Sequence, residues 1–178
     1  VPTYTIPTIV HKNNKVVNFC CFNNVKKIND KVIETWIHIL RLVPQSQLYL
    51  RYYHYSSSFI VKFIKNRFEK IAKDLYIYKF DISRIHFIGY EKDYTTVLKM
   101  YSSMDIFLDT FPYTGTTVLC EALSVGIPVV TLLGKHPHER IGASLLSSMG
   151  RPELIAKTER EYIDKVVFLA RNRNNIIT

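Results

Sequence analysis

Gly115, Thr116 and Thr117 stand in the run TFPYTGTTVLCEAL, where an apolar stretch gives way to helical spacing. Pro112 and Gly115 shape a turn there, and the two threonines fall at the cap or first turn of the helix that follows. Hydroxyls at that position can cap the helix, and its free N–H groups, backed by the helix dipole, favour an anion. One turn later Glu121 lies near the same edge, where a carboxylate could accept hydrogen bonds from a ribose diol. Threonine is also an ordinary cap and glutamate an ordinary solvated helix residue, so the residues alone leave an anion site and a plain helix start both open. No GxGxxG follows the first strand and no GxxxxGK[ST] occurs, which disfavours dinucleotide oxidoreductases and P-loop NTPases.

The elements that must position these groups alternate along the chain. VVNFCCF (Val16 to Phe22) reads as a strand, and DKVIETWIHILRLVP as a helix with Val32, Ile33, Trp36, Ile37 and Leu40 at helical spacing, Asp30 as N-cap and Pro44 as stop. QLYLRYY, RIHFIGY, DIFLDT and PVVTLL supply four more strands, separated by helices around Phe59 to Leu75, over YTTVLKMYSSM and from Thr117 to Val125. ERIGASLLSSMG, closed by Gly150, and EREYIDKVVFLARN make the last two helices. Near-continuous apolar strands separated by helices predict a parallel sheet covered on both faces, a doubly wound, Rossmann-like α/β domain. Ligands of such domains sit beyond the carboxyl ends of the strands, where the strand order reverses.

A chain of 178 residues with 47% hydrophobic residues can build one such domain, and no apolar run is long enough to span a bilayer. Residues 1–14 read as a linker or cut end without signal-peptide features, 15–172 as the α/β domain and 173–178 as a frayed tail. The formal charge of +9 suits a phosphate-bearing ligand. Nucleic acid is a weaker reading, because the cations are scattered over solvated helix faces and no nucleic-acid motif occurs. Cys20, Cys21 and Cys120 have neither disulfide nor zinc spacing and read as buried free thiols in a reducing, cytoplasmic setting. HPHE (His136 to Glu139) has poor metal-ligand spacing and reads as a loop.

Four blocks resemble the O-GlcNAc transferase / SPINDLY family: FNNVKKI, VIETWIHILRLVPQSQLYL, DIFLDTFPYTGTTVLCEALSVGIPVVTLLG and RIGASLLSSMGRPELIAKTEREY. They keep their order and approximate spacing over nearly the whole chain. The resemblance implies the carboxyl-terminal, donor-binding lobe of a two-lobed GT-B glycosyltransferase. It implies that Lys27 contacts the donor diphosphate and stabilises its charge as the sugar leaves. It places Asn24 near the phosphates, Gly115, Thr116 and Thr117 at the helix start that holds them, Glu121 at the ribose, and Arg140 where relatives often carry arginine. Tyr90, Glu91 and Tyr94 occupy the loop that reads the base in relatives. Two positions depart from the family: Val97 stands where a histidine packs near the base, and Val118 replaces a threonine.

The implied function is transfer of a sugar to Ser or Thr of a protein acceptor, with UDP-GlcNAc favoured over GDP-fucose as donor, without cofactor or metal. The implied partners are an amino-terminal catalytic lobe and tetratricopeptide repeats in the parent protein, with no membrane contact. The alternative is a noncatalytic nucleotide-binding or interaction module that kept the fold.

Overall fold

Short runs of Val, Ile, Leu and Phe too brief to make a helix form strands when helices can cover both of their faces. In the computed structural model, which describes residues 16–172, these are β1 (Val17–Cys21), β2 (Ser46–Arg51), β3 (Ile85–Ile88), β4 (Ile106–Leu108) and β5 (Val129–Leu132). A sixth strand, β6 (Ile155–Ala156), extends the sheet beyond β5, so five expected strands become six in the order β3-β2-β1-β4-β5-β6. Two residues carry no readable periodicity; β6 exists because Ile155 and Ala156 pair with Thr131 and Leu132. All described pairings are parallel, and Phe19 of β1 lies between Leu48 of β2 and Ile106 of β4.

The helices are α1 (Asp30–Leu42), α2 (Ser58–Asp74), α3 (Tyr94–Ser102), α4 (Thr117–Val125), α5 (Ile141–Ser148) and α6 (Glu159–Asn172). α1 packs against α2 and α6, while α3 packs against α4. Trp36, Ile33 and Ile37 of α1 are fully buried, as are the adjacent Cys20 and Cys21 on β1. Neighbouring strand residues point to opposite faces, so burial of both cysteines requires cover on each side. Cys120, on α4, is exposed, so the expectation of three buried thiols holds only for the other two. Its position on the solvent side of a helix accounts for this.

The N-cap of α1 is Asn29 rather than Asp30. Its side-chain oxygen accepts from the Val32 N–H at 2.9 Å, and its amide donates to the Phe111 carbonyl at 2.7 Å. Asparagine can do both at once and aspartate cannot, whereas Asp30, one position on, pairs with Arg67. Gly126, at φ 90°, ends α4 in the left-handed region that glycine tolerates best. The expected segments 1–14 and 173–178 lie outside the described residues.

The sheet order reverses direction between β1 and β4. The connection leaving β1 and the one leaving β4 therefore part to opposite faces, and folds of this kind hold their ligand crevice at that carboxyl rim. No helix among the described residues is long and apolar enough to cross a membrane.

Candidate functional site

One wall of the crevice is the loop after β1. Asn24 accepts the Lys26 N–H on its side-chain oxygen at 2.9 Å, closing a tight turn that carries the chain into a single 3-10 turn, Val25–Lys27. This turn aims Lys27 across the rim. Its ammonium donates to the Thr114 carbonyl at 2.8 Å and sits 4.1 Å from the centre of the Tyr113 ring. Partial burial pulls the Lys27 pKa below the ordinary lysine value, opposed by the charge of Asp109. The neighbouring Lys26 is exposed.

The other wall is the loop after β4, and its organiser is a residue absent from the sequence-based set. Asp109 is fully buried. Its Oδ1 accepts from the Gly115 N–H at 2.8 Å, the Thr110 N–H at 2.9 Å and the Asn23 amide at 3.2 Å; its Oδ2 accepts from the Thr131 hydroxyl at 2.7 Å. Burial pushes its pKa up to about 6, and these four donors oppose the rise. Asn23 is likewise buried, so the inward asparagine of the pair is Asn23, and Asn24 serves the turn. A lone acid at the end of the apolar run DIFLDT was the available signal, since an ionisable group there must find donors.

α4 begins between these walls. Thr116 is its N-cap but makes no side-chain capping bond, contrary to the expectation that a hydroxyl caps the helix; only its carbonyl is engaged, by the Leu119 and Cys120 N–H groups. Its backbone, at φ −129° and ψ −80°, departs from the extended form typical of caps. Thr116 and Thr117 are both exposed, and the first N–H groups of any helix lack intrahelical acceptors. Glu121, one turn on, is half-buried and accepts from the Tyr101 hydroxyl at 2.9 Å. Burial, and then the charge of Glu121, push the Tyr101 pKa above its ordinary range.

Of the expected residues, Lys27 and Asn24 on one loop and Gly115, Thr116, Thr117 and Glu121 on the other are thus brought to this rim, with Thr114 joining them, while Tyr90, Glu91 and Tyr94 stand apart. Arg140 precedes α5 and donates to the Gly134 carbonyl at 3.3 Å. It lines a separate hollow of about 480 Å³ with Leu133, Ser144 and Lys157, to which Lys27 and the Gly-Thr-Thr residues contribute nothing. Tyr90 is exposed at the end of the edge strand β3, two strands from β1, with its N–H on the Ser56 hydroxyl. Glu91 accepts the Asp93 N–H at 2.9 Å, and Tyr94 opens α3. Val97 is buried on α3, and the half-buried Val118 receives the Tyr101 hydroxyl on its carbonyl at 3.3 Å. The HPHE run is a 3-10 turn packed on the Gly-Thr-Thr loop, with the His138 ring 5.5 Å from that of Tyr113 and its carbonyl accepting from Thr114. Among the described residues no group of three or more His, Cys, Asp or Glu is arranged to hold a metal.

Comparison with known proteins places the fold and the family. The chain is 37% identical over 158 residues to a protein of Hordeum vulgare named probable UDP-N-acetylglucosamine–peptide N-acetylglucosaminyltransferase SPINDLY, and 38% identical over 158 residues to its namesake in Arabidopsis thaliana. Each match covers 89% of this chain and only 16% of the relative's length. Among solved structures, a mutant O-GlcNAc transferase of Thermobaculum terrenum superposes with a TM-score of 0.81 at 30% identity, covering 96% of this chain and 30% of that one. The UDP complex of Staphylococcus aureus TarM, at 15% identity and a TM-score of 0.59, shares the fold, the α/β half of the GT-B architecture. The family described as Glycosyl transferase family 41 matches residues 4–177. With nearly its whole length matched by the family and its fold shared with a solved O-GlcNAc transferase, this chain belongs to glycosyl transferase family 41.

Proposed function

We propose that this chain is the donor-binding lobe of a protein O-glycosyltransferase that moves a sugar from a nucleoside diphosphate sugar to Ser or Thr hydroxyls. UDP-GlcNAc is the favoured donor, ahead of GDP-fucose, in keeping with the names of the similar plant proteins. One observation carries the reading: the Lys27 ammonium, fixed 2.8 Å from the Thr114 carbonyl, stands beside the open N-terminus of α4 at the strand-order reversal. A diphosphate placed there meets a cation on one side and first-turn N–H groups with two threonine hydroxyls on the other. As the sugar–phosphate bond breaks, negative charge grows on the leaving diphosphate. Preorganised donors at that point lower the barrier because they need not reorient. Partial burial of Lys27 strengthens its attraction to that charge.

Glu121, already oriented by Tyr101, is the acceptor for a ribose hydroxyl. Asn24 shapes the turn that presents Lys27, and Arg140 lies between His138 and Gly142, which both bond Thr114 of the Gly-Thr-Thr loop. Tyr90, Glu91 and Tyr94 mark the base side. Lys27 and α4 suffice to balance the diphosphate without a metal. The acceptor protein, the other catalytic lobe and tetratricopeptide repeats belong to the rest of the parent protein, and buried free Cys20 and Cys21 suit a reducing, intracellular setting.

Calorimetric titration of the chain with UDP and with GDP, each with and without EDTA, tests this. Binding of one nucleotide, unchanged by EDTA, supports it. Absence of binding of both at millimolar concentration overturns it, and binding that EDTA abolishes overturns the metal-free part. A parent protein that binds the donor yet never transfers sugar would assign the chain to a noncatalytic module.

A further inference from the structure

The two walls of the crevice leave the sheet on opposite faces, so nothing in the backbone alone holds them at a fixed distance. Lys27 and Asn29 reach across to the carbonyls of Thr114 and Phe111, but one buried side chain accepts from both walls at once. Oδ1 of Asp109 takes the Asn23 amide from the Lys27 loop and the Gly115 N–H from the Gly-Thr-Thr loop, at 3.2 and 2.8 Å. Oδ2 takes the Thr131 hydroxyl at the end of β5, at 2.7 Å. The start of α5 closes over the same group: a Cβ on Gly142 would lie 2.8 Å from Asp109 Oδ2 and 2.5 Å from Thr131 Oγ1. The backbone of Asp109 is tied too, its carbonyl accepting from the buried Tyr162 hydroxyl of α6 at 2.9 Å.

We propose that Asp109 is a positioning residue of the donor site. Its ionised carboxylate clamps the Lys27 loop to the loop that begins α4, and so sets the gap into which a diphosphate fits. The inference rests on the donor-binding reading of the crevice. Every donor to the carboxylate comes from an element bearing or bordering that site, and one oxygen serves both walls. A clamp of this kind must be short, rigid and able to accept several bonds at once, which an ionised carboxylate does and no other side chain does as well. Its charge also supports the protonated state of the half-buried Lys27. Buried behind both loops, Asp109 acts on the site through Asn23 and Gly115.

A side chain present for stability alone would behave differently. An asparagine at 109 has the same shape, keeps an acceptor for Gly115 and Asn23, and can donate to Thr131, so the fold retains its hydrogen bonds. The clamp loses the charge that shortens those bonds and supports Lys27. The charged or titratable groups facing Asp109 are Cys21 on β1, Lys27 on the following loop and Tyr162 on α6; β5 and α5 present only Thr131 and Gly142. Burial pushes the Cys21 thiol up to about 12 and Tyr162 above its ordinary range, which leaves Asp109 itself to titrate between pH 5 and 8.

The experiment is calorimetric titration of the full chain with UDP-GlcNAc, or with GDP-fucose if that is the donor bound, from pH 5 to 8, for wild type and Asp109→Asn, with thermal unfolding of each. The expected result is a roughly tenfold weaker affinity for Asp109→Asn at pH 7.5, with an unfolding midpoint at or above wild type. Wild-type affinity should also fall as pH drops through about 6, an inflection missing from the variant. Equal affinity and the same pH profile for both proteins overturn the inference. Should Asp109→Asn fail to fold, Asn23→Ala decides, because it severs the link to the Lys27 loop and leaves the carboxylate in place. Weaker donor binding by a folded Asn23→Ala supports the clamp, and unchanged binding overturns it. A wild-type chain that binds neither nucleotide sugar instead overturns the donor-binding reading, and the clamp with it.

Discussion

Lys27 is useful to a diphosphate because of what surrounds it: a carbonyl, an aromatic face and partial loss of water. Replacing it with methionine keeps the length and removes the charge. Nucleotide affinity should fall about 10- to 100-fold, in line with about 1.5–3 kcal/mol for a hydrogen bond to a charged group, while the unfolding midpoint moves little. Calorimetry and thermal melts check both. Asp109 carries a different signature. Its carboxyl holds its proton up to about pH 6 in the fold against an ordinary value of 3.8, so between these two values the native state binds more protons than the unfolded chain. Stability from this group is therefore fully present below the ordinary value and is lost as pH rises through the folded value, by about 3 kcal/mol at most. Urea unfolding of wild type should show that loss between pH 4 and 7, and Asp109→Asn should lack it. The +9 charge and the Gly-Thr-Thr hydroxyls were visible in the residues themselves. The roles of Asn23 and Asp109 were not, because a buried polar residue is recognised by its partners, which here lie 86 positions apart.

At the level of elements, helix starts organise this protein. Asn29 caps α1 and reaches the Phe111 carbonyl in the loop after β4, so one side chain ends a turn and ties two elements. Asn29→Ala should lower stability by about 1–2 kcal/mol through loss of the cap, readable in urea unfolding. Gly142 has no such substitute. A methyl group there meets Thr131 and the Asp109 carboxylate, so Gly142→Ala should shift α5 and cost about 1–3 kcal/mol, with weaker nucleotide binding as a second readout. Five strands and six helices could be read from period and composition, because each is long enough to show its pattern. β6 could not be read, since a two-residue strand exists only through its neighbour. The choice between Asn29 and Asp30 as cap was equally hidden, because both residue types favour that position and only the Phe111 contact separates them.

For the molecule as a whole, a covered parallel sheet with one reversal point presents one rim at which ligand-binding loops converge. The chain spans only 16% of the plant relatives' length, and on the proposed reading the acceptor side of the transferase lies outside that span. The isolated chain should therefore bind the donor and transfer no sugar to a peptide at enzyme-like rates of about 1 per second or faster, as a radiolabel assay would read. Transfer by the chain alone at such rates would place the whole chemistry within these 178 residues.

The sequence by itself determined the fold class, the succession of six helices and the first five strands along the chain, the Gly-Thr-Thr turn and the family, because each is written in local pattern or in blocks of consecutive residues. Tertiary structure alone decided which asparagine faces inward, that Lys27 ends on the Thr114 carbonyl, and that Arg140 lines a different hollow. Only it joined the two crevice walls through Asp109. The physical reason is common to all of these. Backbone conformation responds mainly to near neighbours, whereas a polar side chain buried at a sheet rim settles on whichever distant donors and acceptors the folded topology brings within about 3 Å.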